Sequence, residues 1–261
     1  FGVAQCQACG LGFTVPRVPD AEIGRYYPAA YYGDRNRRFN PLFEKLIRFF
    51  RWRRVAEIER RVKTGRVLDV GCGRALTLDF MRARGWDAHG VELSETSAAH
   101  AREVLGLPVF VGPLEKAPHP PASFDVVILW HVLEHFSLPG ETLRLCRELL
   151  RPGGLLVVAV PNFASLQARA CGPEWFHLDV PRHYVHFGLP VLTRTLVEHG
   201  FRVDTVSHFG FEQNPYGWIQ SLLNRAGFRR NLLYDLLKDR SARSEAAPVR
   251  AHPLQSLLLL P

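Results

Sequence analysis

From residue 66 onward, short apolar runs alternate with stretches in which apolar residues return every three or four positions. The runs at 66–70, 87–92, 109–111 and 124–130 read as strands, and helical periods fall at 75–84, 95–105 and 139–150. The run Phe124–Trp130 is nearly all apolar, as a strand covered on both faces of its sheet must be. Residues 151–154, Arg-Pro-Gly-Gly, read as a turn. A fifth strand follows at 155–160, then a helix at 192–199 ended by Gly200, and a sixth strand at 201–207. This alternation predicts βαβ units and hence an α/β fold: a doubly wound, mostly parallel sheet with helices on both faces. Right-handed crossovers then put the ligand at the carboxyl ends of the strands, near the switch in strand order.

Ahead of this pattern, residues 41–62 predict a long amphipathic helix with proline in its first turn. Residues 1–33 are rich in Gly, Pro, Tyr and Cys and show no helical period. The chain therefore divides into a small Cys-x-x-Cys segment (1–40), a lead-in helix (41–65), a ligand-binding α/β domain (66–209) and a helical extension (210–261). In the extension, 218–224 and 231–237 read as helices and 241–248 as a linker. The opening at Phe1 inside a strand pattern, and the close on an apolar run ending at Pro261, read as a fragment of a longer protein.

Composition narrows the picture. Hydrophobic residues make up 47% and charged residues 22%, which excludes wholesale disorder. The formal charge of +8 is compatible with nucleic acid, anionic lipid or acidic substrates. Arg far outnumbers Lys, so genomic bias accounts for the charge as readily, and a small-molecule partner is preferred to nucleic acid. The cysteines (Cys6, Cys9, Cys72, Cys146, Cys171) are odd in number and scattered, which argues against a disulfide framework. With no signal peptide and no span-length apolar run, the expectation is a cytoplasmic protein. The basic helix over 43–61, with Trp52 and its Phe neighbours, packs over the ligand site in the simpler reading and touches an acidic membrane surface in the alternative.

Two motifs carry chemistry. In Val67-Leu68-Asp69-Val70-Gly71-Cys72-Gly73, a strand runs into a carboxylate and a glycine turn that lets backbone approach a ligand. The next helix presents free N–H groups suited to a ligand carboxylate. A dinucleotide fingerprint needs a third Gly three positions on, where Leu76 stands, so a nicotinamide cofactor is disfavoured. Asp69 suits a ligand ammonium better than a pyrophosphate. In the second motif, Glu92 ends the next strand about 20 residues later, where a carboxylate accepts both ribose hydroxyls.

Together with the Trp130-His131-Val132-Leu133-Glu134-His135 block and Leu149–Leu155, these motifs resemble those of class I S-adenosylmethionine (SAM) dependent methyltransferases. The Val-Leu-Glu-His block is similar to the ubiquinone O-methyltransferase branch, and coverage runs over residues 66–207. The stretch 178–187 further resembles bacterial members tied to cell-surface saccharide or lipid pathways. The resemblance implies a Rossmann-like fold with SAM as cofactor. It places Asp69, Gly71 and Gly73 at the methionine part, Glu92 at the ribose, and Leu114 and Glu115 at adenine, with Cys72 and Leu93 also among the cofactor-binding residues. Trp130 and His131 would flank the sulfonium. The chain departs from the family at Pro113, where an acidic residue usually follows Gly112.

His131, Glu134 and His135 share one face if helical. Some relatives hold a divalent metal through Glu-x-x-Glu-His here; with His131 in the first position, the set suits a transition metal over Mg²⁺. His135 is also a candidate general base. His177, His183 and His186 gather with Arg182 in a loop expected to face the acceptor, with His183 and Arg182 as its orienting pair. Cys6-Gln7-Ala8-Cys9-Gly10 is half of a zinc ribbon, and relatives carry the other pair upstream. The function expected is methyl transfer from SAM to an oxygen, nitrogen or carbon of a small molecule, a saccharide or lipid-linked precursor first and a quinone-type phenol next. The rivals are a nucleic-acid methyltransferase, a SAM-binding scaffold without turnover and a nicotinamide oxidoreductase.

Overall fold

The computed structural model describes residues 1–27, 41–208, 210, 213–228 and 232–233, with backbone alone over 41–44. In chain order the elements are β1 (Gly2–Gln5), β2 (Gly12–Val15), α1 (Pro41–Glu59), β3 (Arg66–Val70), α2 (Leu76–Arg82), β4 (Asp87–Glu92), α3 (Glu95–Ala99), β5 (Val109–Val111), β6 (Phe124–Trp130), α4 (Pro139–Leu149), β7 (Leu150–Ala159), α5 (Leu166–Cys171), β8 (Val185–His186), α6 (Leu189–Glu198) and α7 (Asn214–Arg225).

Five strands form one parallel sheet in the order β5-β4-β3-β6-β7. The chain starts at the centre, winds outward to β5, then returns to the other side of β3 as β6. That reversal puts the switch point between β3 and β6, where Asp69 stands opposite Ile128. Alternate side chains of the central strands serve two cores, because successive residues of a strand face opposite sides. Val67, Val126 and Ile128 pack with Val55 and Ile58 of α1, Leu78 and Met81 of α2, and Ala98 of α3. Leu68, Val70, Val127 and Leu129 pack with Leu143, Cys146 and Leu149 of α4 and with Leu192 and Leu196 of α6. Leu68 and Leu129 are fully buried, each contributing roughly 1.5–3 kcal/mol on leaving water. The expected Rossmann-like α/β architecture is therefore present.

Several elements differ from the pattern reading. The turn expected at 151–154 lies inside β7, looped out between the Phe124–Leu150 and Val126–Leu155 pairs as a bulge. Gly153 supplies the positive φ of 77°, and Arg151 reaches back to Asp125 (Nη1–Oδ1 2.6 Å). The helix expected over 95–105 is α3 followed by a π turn, His100–Val104. The sixth strand expected at 201–207 is not formed. Phe201 and Val203 keep a half-buried alternation, but the segment takes no partner along β7. Strand propensity without a sheet neighbour leaves irregular chain. The helix at 218–224 belongs to the longer α7, while most of 231–237, the linker at 241–248 and the terminal apolar run lie outside the described residues.

The N-terminal segment forms a hairpin, β1 against β2, and β2 pairs antiparallel with β8 through Gly12–His186 and Phe13–Val185. A Cβ on Gly12 would meet the His186 Cβ at 2.9 Å, so glycine is what permits this approach. The hairpin thus lies against the histidine loop.

Candidate functional site

The glycine turn after β3 is shaped by contact as well as by backbone freedom. Gly71 and Gly73 have φ of 68° and 55°, and a Cβ on Gly71 would sit 2.6 Å from Val132 Cγ2. Val132 belongs to the block after β6, so the two motifs meet at this glycine. The turn in turn organises Glu92: Gly73 N donates to Oε2 (2.7 Å) and Ser94 N donates to Oε1 (2.8 Å). Each carboxylate oxygen is fixed by backbone and keeps acceptor capacity for a hydroxyl pair.

Asp69 is buried, and burial pushes its carboxyl up to about 7. The Arg54 guanidinium pulls it back down, and the Glu92 charge raises it. Arg54 comes from α1 and lies over the Trp130 ring, 3.5 Å from its centroid. The sequence reading packed this helix over the ligand site but assigned none of its residues to it, and so missed Arg54. The signal was its helical register: Arg54 shares the inner face with Ile47, Val55 and Ile58, all buried. An arginine on an apolar stripe has a partner to find.

The remaining residues assigned to the cofactor line the same edge. Cys72 packs beside Gly90, where an added Cβ would come within 2.6 Å of its Sγ. Burial raises its thiol far above the ordinary value, so it fills space rather than reacts. Leu93 follows Glu92 and is 70% exposed, a bare apolar face beside the carboxylate. Leu114 is buried in the short turn after β5, with Glu115 exposed next to it. Trp130 ends β6 and His131 follows it, their rings 5.9 Å apart and edge to face.

His131, Glu134 and His135 do not lie on an α-helix. His131 takes a left-handed φ of 54°, and Leu133–His135 form one 3₁₀ turn. The turn still brings His131 Nδ1 to 3.5 Å from Glu134 Oε1. Glu134 is 1% exposed, and neither of its carboxylate oxygens has a hydrogen-bond partner among the described residues. His183 Nε2 stands 4.0 Å from Glu134 Oε1 and 3.7 Å from Asp179 Oδ2. The His135 and His183 rings are 4.6 Å apart. His135 Nδ1 lies 2.8 Å from the Tyr27 hydroxyl and 3.0 Å from the Arg182 carbonyl. His183 Nδ1 lies 3.0 Å from the His177 carbonyl. A ring whose Nδ1–H donates to a carbonyl leaves Nε2 as its acceptor.

Burial pushes His183 well down, with the charges of His135, His186, His177 and His131 adding to it. Burial likewise lowers His177 and His186 to about 4. These rings are neutral at physiological pH. His186 Nε2 is engaged by Thr14 Oγ1 at 3.1 Å, so it buttresses the loop. Arg182 also departs from its expected place: its guanidinium binds Asp179 (Nε–Oδ1 3.0 Å), and its carbonyl is what touches His135. Tyr27 and Asp179 were not picked out from the sequence: no motif surrounds Tyr27, and within the stretch 178–187 the histidines and Arg182 drew the reading instead of Asp179.

One donor atom each from Glu134, His135 and His183 lies within 4.8 Å of the others. A tetrahedral set of nitrogen and oxygen ligands spaces its donors about 3.3 Å apart, so modest rotation of these side chains closes the set. Cys6 and Cys9 sit in the turn joining β1 and β2, where hydrogen bonds within the Cys6–Cys9 turn lower the Cys6 thiol. Among the described residues, no His, Cys, Asp or Glu joins them in a group of three. Two thiols supply half of a structural zinc site.

Comparison with known proteins agrees with this geometry. Residues 35–206 match the methyltransferase domain family. Over 220 residues the chain is 32% identical to the ubiquinone biosynthesis O-methyltransferase of Caulobacter sp. (strain K31), covering 76% of this chain and 86% of the relative. The protein of that name from Thiobacillus denitrificans is 30% identical over 211 residues, 76% of this chain and 89% of its own. In fold the chain is similar to a SAM dependent methyltransferase from Archaeoglobus fulgidus, with a TM-score of 0.50 at 23% identity over 70% of this chain and 92% of that one. The sheet order, the glycine turn between its two acids and these matches converge: the chain belongs to the methyltransferase domain family and is a SAM-dependent methyltransferase.

Proposed function

We propose that the chain transfers the SAM methyl group to a hydroxyl oxygen of a small molecule, with a phenol of the ubiquinone-precursor type as the first acceptor class. The observation that carries this reading is Glu134, a buried carboxylate whose oxygens have no hydrogen bond among the described residues, facing His183 and His131 just beyond the tip of β6. A hydroxyl acceptor brings a proton that must leave, and this cluster is built to take or hold one. The relatives named for ubiquinone biosynthesis O-methyl transfer support the same class.

In this reading Asp69 accepts from the SAM ammonium and Glu92 from the ribose hydroxyls, with Gly71, Cys72 and Gly73 closing around the methionine part. Leu93 and Leu114 flank adenine, and Glu115 lies at its edge. Trp130 and His131 border the sulfonium. The acceptor oxygen attacks the methyl carbon in line; the O–C bond forms as the S–C bond breaks, and the sulfur leaves as a neutral thioether. The donor is already activated, so alignment and exclusion of water do most of the work. His135 or His183 accepts the hydroxyl proton at Nε2, and Arg182 holds His135 through its carbonyl. Glu134, His135 and His183 also fit a divalent transition metal, which when bound would lower the pKa of a hydroxyl placed on it.

The test is transfer of labelled methyl from SAM to a panel of catechol-type phenols, saccharides and lipid-linked hydroxyl compounds. Labelling of a phenol is the expected result, and labelling of saccharides alone would move the assignment to that class. His183→Ala and His135→Ala should each lower turnover by about 100-fold, with SAM affinity by calorimetry little changed. SAM binding without transfer to any of the panel would leave a non-catalytic binder.

A further inference from the structure

The outer face of α1 has no part in the site described above. Its inner face buries Ile47, packs Val55 and Ile58 against the sheet and sets Arg54 on Trp130 at the strand-tip crevice. Its outer face exposes Leu46 at 42%, Phe49 at 50% and Trp52 at 44%. The Phe49 and Trp52 rings stack on each other, with centroids 5.7 Å apart and planes 28° apart. Lys45, Arg48 and Arg53 are exposed on the same side, and no acidic residue occurs between Glu44 and Glu57. Two large aromatics and a leucine left in water among cations are not what a solvated helix face needs.

We infer that this face of α1 docks on the surface of an anionic lipid bilayer. Rings of Trp and Phe partition to the headgroup level, and the aliphatic stems of Lys and Arg follow while their charges meet lipid phosphates. No described helix is long and apolar enough to cross a membrane, so the helix lies on the surface. Single-stranded nucleic acid is the weaker occupant, because Phe49 and Trp52 stack on each other instead of standing apart to receive bases. Docking along α1 sets the helix between the bilayer and the crevice that its inner face borders. This deepens the proposed reading, since a lipid-borne phenol is met at such a surface. Its test needs no methyl transfer, so either idea can fail alone.

The test is flotation of the full chain with vesicles of phosphatidylcholine alone or with phosphatidylglycerol added, at low and high salt. Binding is expected on the anionic vesicles only and should weaken with salt. Phe49→Ser with Trp52→Ser, and separately Lys45→Ala with Arg48→Ala and Arg53→Ala, should each reduce it at least about tenfold. Arg202→Ala, which removes an exposed cation elsewhere, should leave it unchanged. Unfolding temperature and SAM affinity confirm that each variant is folded. Absence of wild-type binding to anionic vesicles overturns the inference, as does binding that survives both sets of changes. Binding of a single-stranded oligonucleotide through these residues, with no vesicle binding, would also overturn it.

Discussion

Glu92 and Glu134 are both buried acids at the carboxyl edge of one sheet, yet their surroundings are opposites. Glu92 has a backbone N–H on each oxygen, from Gly73 and Ser94. Glu134 has none among the described residues, and looks instead at the imidazoles of His131, just before its turn, and His183, in the loop before β8. The first acid is finished before any ligand arrives, and its neighbours come from a short contiguous piece of chain. The second is completed only by something added: a proton, a substrate hydroxyl or a cation. A buried carboxylate left unpaired is costly, so the difference separates a prepared binding group from one held in readiness.

The largest expected effect is at the finished acid. Glu92→Ala should weaken SAM binding by about 100-fold or more, since the two charge-assisted bonds proposed to the ribose and the brace on the glycine turn go together. Calorimetric titration reads this, and wild-type affinity in that variant would dissolve the contrast. At the unfinished acid the sign reverses. Glu134→Gln should stabilise the ligand-free protein by about 2 kcal/mol, because a buried carboxyl with no hydrogen bond among the described residues gives way to an amide that can donate to the facing imidazoles. Urea unfolding measures it, and a loss of stability would show that Glu134 is already satisfied.

Protons probe the crevice next. With Asp69 at about 7, SAM affinity should fall about tenfold per pH unit below that value, as the carboxyl protonates and loses its proposed role as acceptor for the ammonium. Its contribution to ligand-free stability runs the other way. The folded value lies above the unfolded one of about 3.8, so the native state holds the extra proton between these values. Stability therefore declines as pH rises through that window. Asp69→Asn should flatten both profiles. The smallest effect is remote: Thr14→Val removes the hydroxyl that donates to the His183 carbonyl and contacts His186, and should cost about 1 kcal/mol by thermal unfolding.

The same contrast explains what the sequence made legible. The β3 and β4 tips, Asp69, the glycine turn and Glu92 follow from strand periods and turn chemistry over some 25 contiguous residues, and all form as expected. The sixth strand failed because alternation at Phe201 and Val203 describes a half-buried face, whereas a strand also needs a neighbour to pair with. The bulge at 151–154 was half legible: Arg-Pro-Gly-Gly announced irregular backbone but not that the ladder would resume on both sides of it. Around Glu134 local rules ran out. The histidines were visible as residue types, but Tyr27 on His135, Arg182 turned toward Asp179 and β2 paired with β8 are meetings of distant segments. Arg54 lies between these cases, since its place on a buried helical stripe was readable and its partners were not.

The pairing of β2 with β8 also sets an order of assembly. Thr14 and His186 are 172 positions apart, so the ribosome must deliver most of the protein before this contact exists. Closing so long a stretch comes slowly compared with zipping neighbouring βαβ units. The order expected from chain closure is therefore that the tips of β3 and β4 form first and that the imidazole pocket is sealed afterwards by the residues that emerged first.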